Sequence, residues 1–130
     1  MVIAGAAVGM SLLYQYAATK ARISFLGQEI AAGLEVQEWT AGHLQKMEDY
    51  LEEWQSLDSE GASLRRQILH YRFTKSMRES FQQAANWQDR DVVRIQSTLE
   101  MLAEYDAALA ARLEQEFRDR LQERNNNNRK

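Results

Sequence analysis

The sequence predicts an all-α protein, and three observations carry that prediction. There is no proline, where average usage is about 5%. The glycines stand at 5, 9, 27, 33, 42 and 61, so residues 62–130 hold neither of the two strong helix breakers. Ala, Leu, Glu, Gln and Arg dominate, and all are good helix formers. At 130 residues the chain fits one domain with a modest core. The expected architecture is a long helical hairpin or three-helix bundle with coiled-coil-like packing, preceded by an apolar N-terminal helix.

The first expected unit, residues 1–22, reads MVIAGAAVGMSLLYQYAATKAR and carries no charge before Lys20. Its apolar residues are mostly small, and Gly5 and Gly9 form a Gly-x-x-x-Gly that lets two helix backbones approach closely. Tyr14 and Tyr16 lie beside Lys20 and Arg22, where an aromatic belt and a basic flank would sit in a bilayer. A spanning helix needs about 20 apolar residues, and Ser11 and Gln15 interrupt this one. No basic residue precedes the apolar run, which fits a secretion signal poorly. Two readings stand side by side: contact with a membrane, or the interior of an oligomer. Both assign the contact to Ile3, Gly5, Gly9, Leu12, Leu13 and Tyr16, and a permanent membrane anchor is the further alternative.

From Ile23 to Trp54 one heptad frame runs without a skip. Ile23, Leu26, Ile30, Leu44, Met47, Leu51 and Trp54 form the expected packing seam. Gly33, Gln37 and Thr40 put small or polar groups in its middle, which predicts either a close backbone approach or a local turn. SLDSEGAS (56–63) is the strongest turn signal: Asp58 and Ser59 can cap a helix start, and Gly61 can take positive φ. The hairpin is therefore expected to reverse at 58–61. Glu48, Asp49, Glu52 and Glu53 before it and Arg65, Arg66, Arg72, Lys75 and Arg78 after it favour an antiparallel fold. Glu52 or Glu53 is then expected near Arg66, and Glu48 near Arg72.

After the turn, Leu64, Ile68, Tyr71, Phe73, Met77 and Phe81 continue as a helix. At NWQDRD (86–91) the pattern breaks, which leaves open a corner with three main helices or one long helix passing through. Val92, Ile95, Leu99, Leu102 and Leu109 resume the spacing, and Leu113, Phe117 and Leu121 drift around the helix. The second unit is thus 23–122, and the polar ERNNNNRK end predicts a disordered Asn-rich tail over 123–130.

Composition removes several function classes. Without cysteine there are no disulfides, thiolate metal sites or thiol nucleophiles. His43 and His70 fall in no Glu-x-x-His or His-x-x-x-His spacing, and no Gly-rich phosphate loop or serine elbow can be assembled. The chain is expected not to be an enzyme, with no catalytic residue, no metal and no cofactor. The net charge of -3 argues against a dedicated nucleic-acid binder. Arg65, Arg72 and Lys75 nevertheless fall within about 80° on a helix and form a candidate basic face. The three tryptophans (39, 54, 87) read as core or interface anchors.

The uncharged Gly/Ala-rich start, Tyr14–Gln15–Tyr16–Ala17–Ala18, then Lys20–Ala21 and Gly27–Gln28–Glu29–Ile30–Ala31–Ala32, resembles the N-termini of small internal virion proteins of tailed bacteriophages. The likeness covers about the first 35 residues, is one of composition and order, and carries over no functional residue. It implies a helical protein, present in many copies in a particle and ejected with the genome to help it cross the host envelope. Residues and resemblance together predict a non-enzymatic, multi-copy structural or assembly protein, a homo-oligomer or part of a larger protein assembly. Its place would be cytoplasmic or virion-associated, with membrane contact through residues 1–22 as an option. The rivals are a helical adaptor or chaperone for one protein partner, using the 23–54 seam, and a membrane-anchored coiled coil.

Overall fold

The structure, a computed structural model, describes residues 2–129, with side chains from Gly9 onward. The protein is all-helical: α1 (Val2–Gly33), α2 (Ala41–Leu57), α3 (Ser59–Gln82), α4 (Asp89–Ala103) and α5 (Ala107–Asn128), with a short 3-10 turn at Ala84–Asn86. Helix α2 lies at the centre and packs on α1, α3 and α4, while α5 packs on α3, α4 and the 3-10 turn. Leu44, Met47, Leu51 and Trp54 of α2 are all buried, as are Leu26 and Ile30 of α1. Ile23 is partly buried against them, so the expected seam side chains all reach the core or its edge.

The frame itself is interrupted. Helix α1 ends at Gly33, a linker crosses 34–40, and α2 begins at Ala41. Gln37 is exposed in the linker and Thr40 is the N-cap of α2, its hydroxyl accepting the His43 N–H at 3.1 Å, so neither is a seam residue. Gly33 does both jobs that its position allows. It ends the helix, and a Cβ there would overlap Met47 Sδ, so its bareness lets α2 close on α1. The His43 Nε2–H donates to the Gly33 carbonyl at 2.8 Å and satisfies a helix-end acceptor.

Asp58 is the whole connection between α2 and α3. Its carboxylate accepts the Gly61 N–H at 3.1 Å, so α3 starts at once and Gly61 sits in its first turn. Among the described residues no glycine has positive φ, which corrects the expectation for Gly61. What Gly61 supplies is space: a Cβ would overlap the Asp58 carboxylate and lie 3.1 Å from Trp54 Nε1. Asp58→Ala is expected to cost about 1 kcal/mol, seen as a lower urea midpoint with an unchanged slope.

The pattern break at 86–91 is a corner. Trp87 is buried there, its indole N–H donating to the Ser80 carbonyl at 3.0 Å, and Asp91 accepts the Gln88 N–H at 2.8 Å as α4 begins. Phe81, Trp87 and Phe117 meet around it with ring centroids 5.6–6.2 Å apart. A second corner at Glu104–Asp106 was not anticipated, and Asp106 caps α5 by accepting the Leu109 N–H at 3.1 Å. The stripe Leu109, Leu113, Phe117 therefore belongs to a separate helix and is buried along it. Finally, α5 runs through Asn128 with no break at 122, because Glu, Arg and Asn offer no breaker once the helix is nucleated.

Candidate functional site: an unpartnered helical arm

Helix α1 is held by its C-terminal third. Arg22 donates to Glu53 through Nη2 at 2.7 Å and through Nε, and its guanidinium lies 4.7 Å from the Phe25 ring centre. The hydrogen bond from Arg22 holds the Glu53 carboxyl below its usual range, and the same bond raises the Arg22 guanidinium. Gly27 faces Trp54 and Gly33 faces Met47, so α1 and α2 run antiparallel. Among the described residues α1 packs on no helix other than α2.

Because α2 stops at Leu57, the part of α1 before Arg22 overhangs the body by about 30 Å. Met10, Leu12, Leu13, Tyr14 and Tyr16 stand 60–77% exposed there. Monomers rarely show contiguous apolar patches above a few hundred Å². Of the expected contact residues, Gly9, Leu12, Leu13 and Tyr16 lie on this arm in the open. The side chains of Ile3 and Gly5 lie outside the described residues. Among the described residues no helix is long and apolar enough to cross a membrane. Ser11, Gln15 and the two tyrosines lower the hydropathy of a helix otherwise built from small residues.

The other cluster of chemistry-bearing groups lies inside the body. The Glu48 side chain has no solvent exposure, although it lies in an acidic run with Asp49, Glu52 and Glu53. Its carboxylate accepts from His70 Nε2 at 2.8 Å and from Arg66 Nε at 3.4 Å, and His70 Nδ1 faces Asp106 Oδ2 at 3.4 Å. Glu48 thus meets Arg66 and His70, whereas Arg72 was expected. The carboxylate's partners are what permit its burial. This set joins α2, α3 and the start of α5. Among the described residues no group of three or more His, Cys, Asp or Glu is placed to hold a metal.

Tyr105 lies against the same acidic region. Burial, with repulsion from Asp49, Glu48, Glu104 and Glu52, pushes its phenol above the ordinary value of about 10. The folded state therefore keeps this proton longer than the unfolded chain does. The associated stability is whole below about pH 10 and is lost as pH rises through the folded value. Tyr105→Phe is expected to flatten the alkaline loss of stability and to remove a late-titrating phenol from an ultraviolet titration.

The candidate basic face lies along α3. Arg65 covers the Trp54 ring at 5.4 Å, Arg66 serves Glu48, and Arg78 pairs with Glu116 at 3.2 Å. Arg72 and Lys75 remain exposed, but they share their groove with Glu35 and Glu79. Sequence spacing also missed the role of Trp39. It is buried, and its carbonyl accepts from Arg94 Nη1 at 2.9 Å and from the Thr98 hydroxyl at 3.3 Å. The only local signal was a tryptophan in an otherwise polar stretch. The chain matches no protein-family model, no curated protein and no solved structure.

Proposed function

We propose that this chain is a non-enzymatic, multi-copy structural protein, a helical subunit whose N-terminal arm joins it to a larger assembly. The observation that carries this reading is the arm: about 27 Å of uncharged helix, with five large apolar side chains in the open, on a body whose own core is closed. A helix that is apolar all round is stable only when something covers it. In this reading α2–α5 form a bundle-like body with coiled-coil-like packing, and the arm is the element left for assembly. The adaptor reading loses support because the 23–54 seam it requires is filled within the chain by Trp54, Met47 and Leu51. The resemblance of the first 35 residues to ejected virion proteins suggests one setting, a particle that carries many copies.

Sedimentation velocity over a concentration series tests the proposal, with a Leu12→Asp/Leu13→Asp variant beside the unaltered chain. The unaltered chain is expected to be multimeric, and the variant to sediment as a monomer with the same helical circular dichroism. An unaltered chain that stays monomeric at every concentration refutes the reading.

A further inference from the structure

The seam that α1 lays on α2 does not stop where α2 stops. Ile23, Leu26, Ile30 and Gly33 form its inner half. The same alternation of three and four residues, carried toward the N-terminus, gives Thr19, Tyr16, Leu12, Gly9, Gly5 and Val2. All of these positions lie on a single continuous helix, the stripe drifting by about 20° per heptad. The inner half is covered by α2, while Gly9, Leu12 and Tyr16 of the outer half are exposed.

The covered half shows how this seam packs. It runs antiparallel to its partner and sets bare glycines against large side chains. A Cβ on Gly27 would lie 3.4 Å from Trp54 Cη2, and one on Gly33 would overlap Met47 Sδ. In the open half a Cβ on Gly9 would meet nothing within 4 Å, so that notch is unfilled. Large seam residues of matching spacing stand on the same arm, as Leu12 and Tyr16.

We propose that the open half of the seam is covered by the same stretch of a second copy, lying antiparallel, with Gly9 of each chain against Leu12 of the other and Gly5 against Tyr16. Each glycine then receives a bulky side chain, as Gly27 and Gly33 already do within the chain. Sliding the pair by one heptad would set Leu12 against Tyr16 and leave bulk on bulk. A parallel pair would set glycine on glycine and bring both α2 helices onto the same stretch of seam. The absence of any charge from residue 2 to residue 19 fits a second arm better than a charged partner. Two arms overlapping over about 27 Å bury less than the roughly 800 Å² per partner of a standard interface. The pair is therefore reversible with dilution, and Met10 and Tyr14 on the outer side are left for further copies.

This inference rests on the multi-copy role proposed above, and the experiment separates the two. The chain has no cysteine, so introduced ones report cleanly. Chains carrying Gly5→Cys and Tyr16→Cys are mixed and oxidised at a concentration where the unaltered chain is assembled. The expected product is a disulfide between position 5 of one chain and position 16 of the other. Neither variant is expected to link to itself, because like positions lie about 16 Å apart along the pair, beyond disulfide reach of about 7 Å. Gly9→Leu, which fills the notch, is expected to shift assembly to at least about tenfold higher concentration, with the fold unchanged.

Self-linking of Tyr16→Cys, or Gly9→Leu chains that assemble like the unaltered chain, overturns the antiparallel pairing. Assembly without the mixed link overturns it too, while leaving the multi-copy role intact. A chain that is monomeric throughout, including one that floats with neutral phosphatidylcholine vesicles, overturns both.

Discussion

Replacing Glu48 with alanine is expected to destabilise the protein by about 3 kcal/mol, the lower end of the cost of breaking a buried ion pair. The carboxylate is fully enclosed and is the acceptor for His70 Nε2 and Arg66 Nε. Its removal leaves the imidazole N–H without an acceptor in a site that is only 15% exposed, and opens a void among α2, α3 and α5. Arg66 is one-third exposed and can turn to water, which keeps the loss near the lower end. Urea unfolding followed by circular dichroism measures it. Glu48→Gln keeps the shape and one acceptor oxygen, so its loss is expected to be clearly smaller. A loss below about 1 kcal/mol for the alanine variant would contradict the burial of this group.

Trp39→Ala is expected to cost about 3–5 kcal/mol, the range for removing a buried aromatic ring. Trp39 fastens the 34–40 linker to the body. Its ring stands edge-on to Phe73 at 5.4 Å and lies 4.9 Å from the His43 ring. Its carbonyl, the acceptor for Arg94 and Thr98, survives the substitution, so the linker loses packing but keeps its tether to α4. Arg94→Ala is accordingly expected to cost less, about 1–2 kcal/mol. In hydrogen exchange, Trp39→Ala is expected to lower protection first at the C-terminal end of α1 and the start of α2. Protection lost evenly over all five helices would instead mean that Trp39 is simply one core residue among many.

The linker also shows why a correct spacing gave an incomplete picture. Residues 34–40 are one heptad long, so the frame resumes in phase at Leu44, and counting residues cannot distinguish a seven-residue turn from two more helical turns. The corner at Glu104–Asp106 is hidden for a different reason: Ala103, Glu104, Ala107 and Ala108 are good helix formers, and only Asp106 hints at a cap. At 86–91 the hint was visible because Asn86 and Asp89 interrupt an apolar pattern. For the arm, the absence of charge over residues 1–19 was legible directly. The seam side chains from Ile23 to Trp54 were legible for the same reason, since each apolar residue recurs on the face that must leave water.

By itself, the sequence determined the helical class, the core side chains on α1 and α2 and the uncharged arm. Those follow from backbone propensity and from the free energy of removing apolar surface from water, both of which act residue by residue. Only the tertiary structure decided which helix each face meets, because periodicity says that a face is buried and not against what. That is why Glu48, inside an acidic run, is nonetheless enclosed: its burial depends on Arg66 and His70 arriving from α3, with Asp106 behind His70 at the start of α5. It is also why the open half of the α1 seam could not be seen beforehand. The spacing continues unbroken from Gly33 to Val2, and what divides it is the point at which α2 ends.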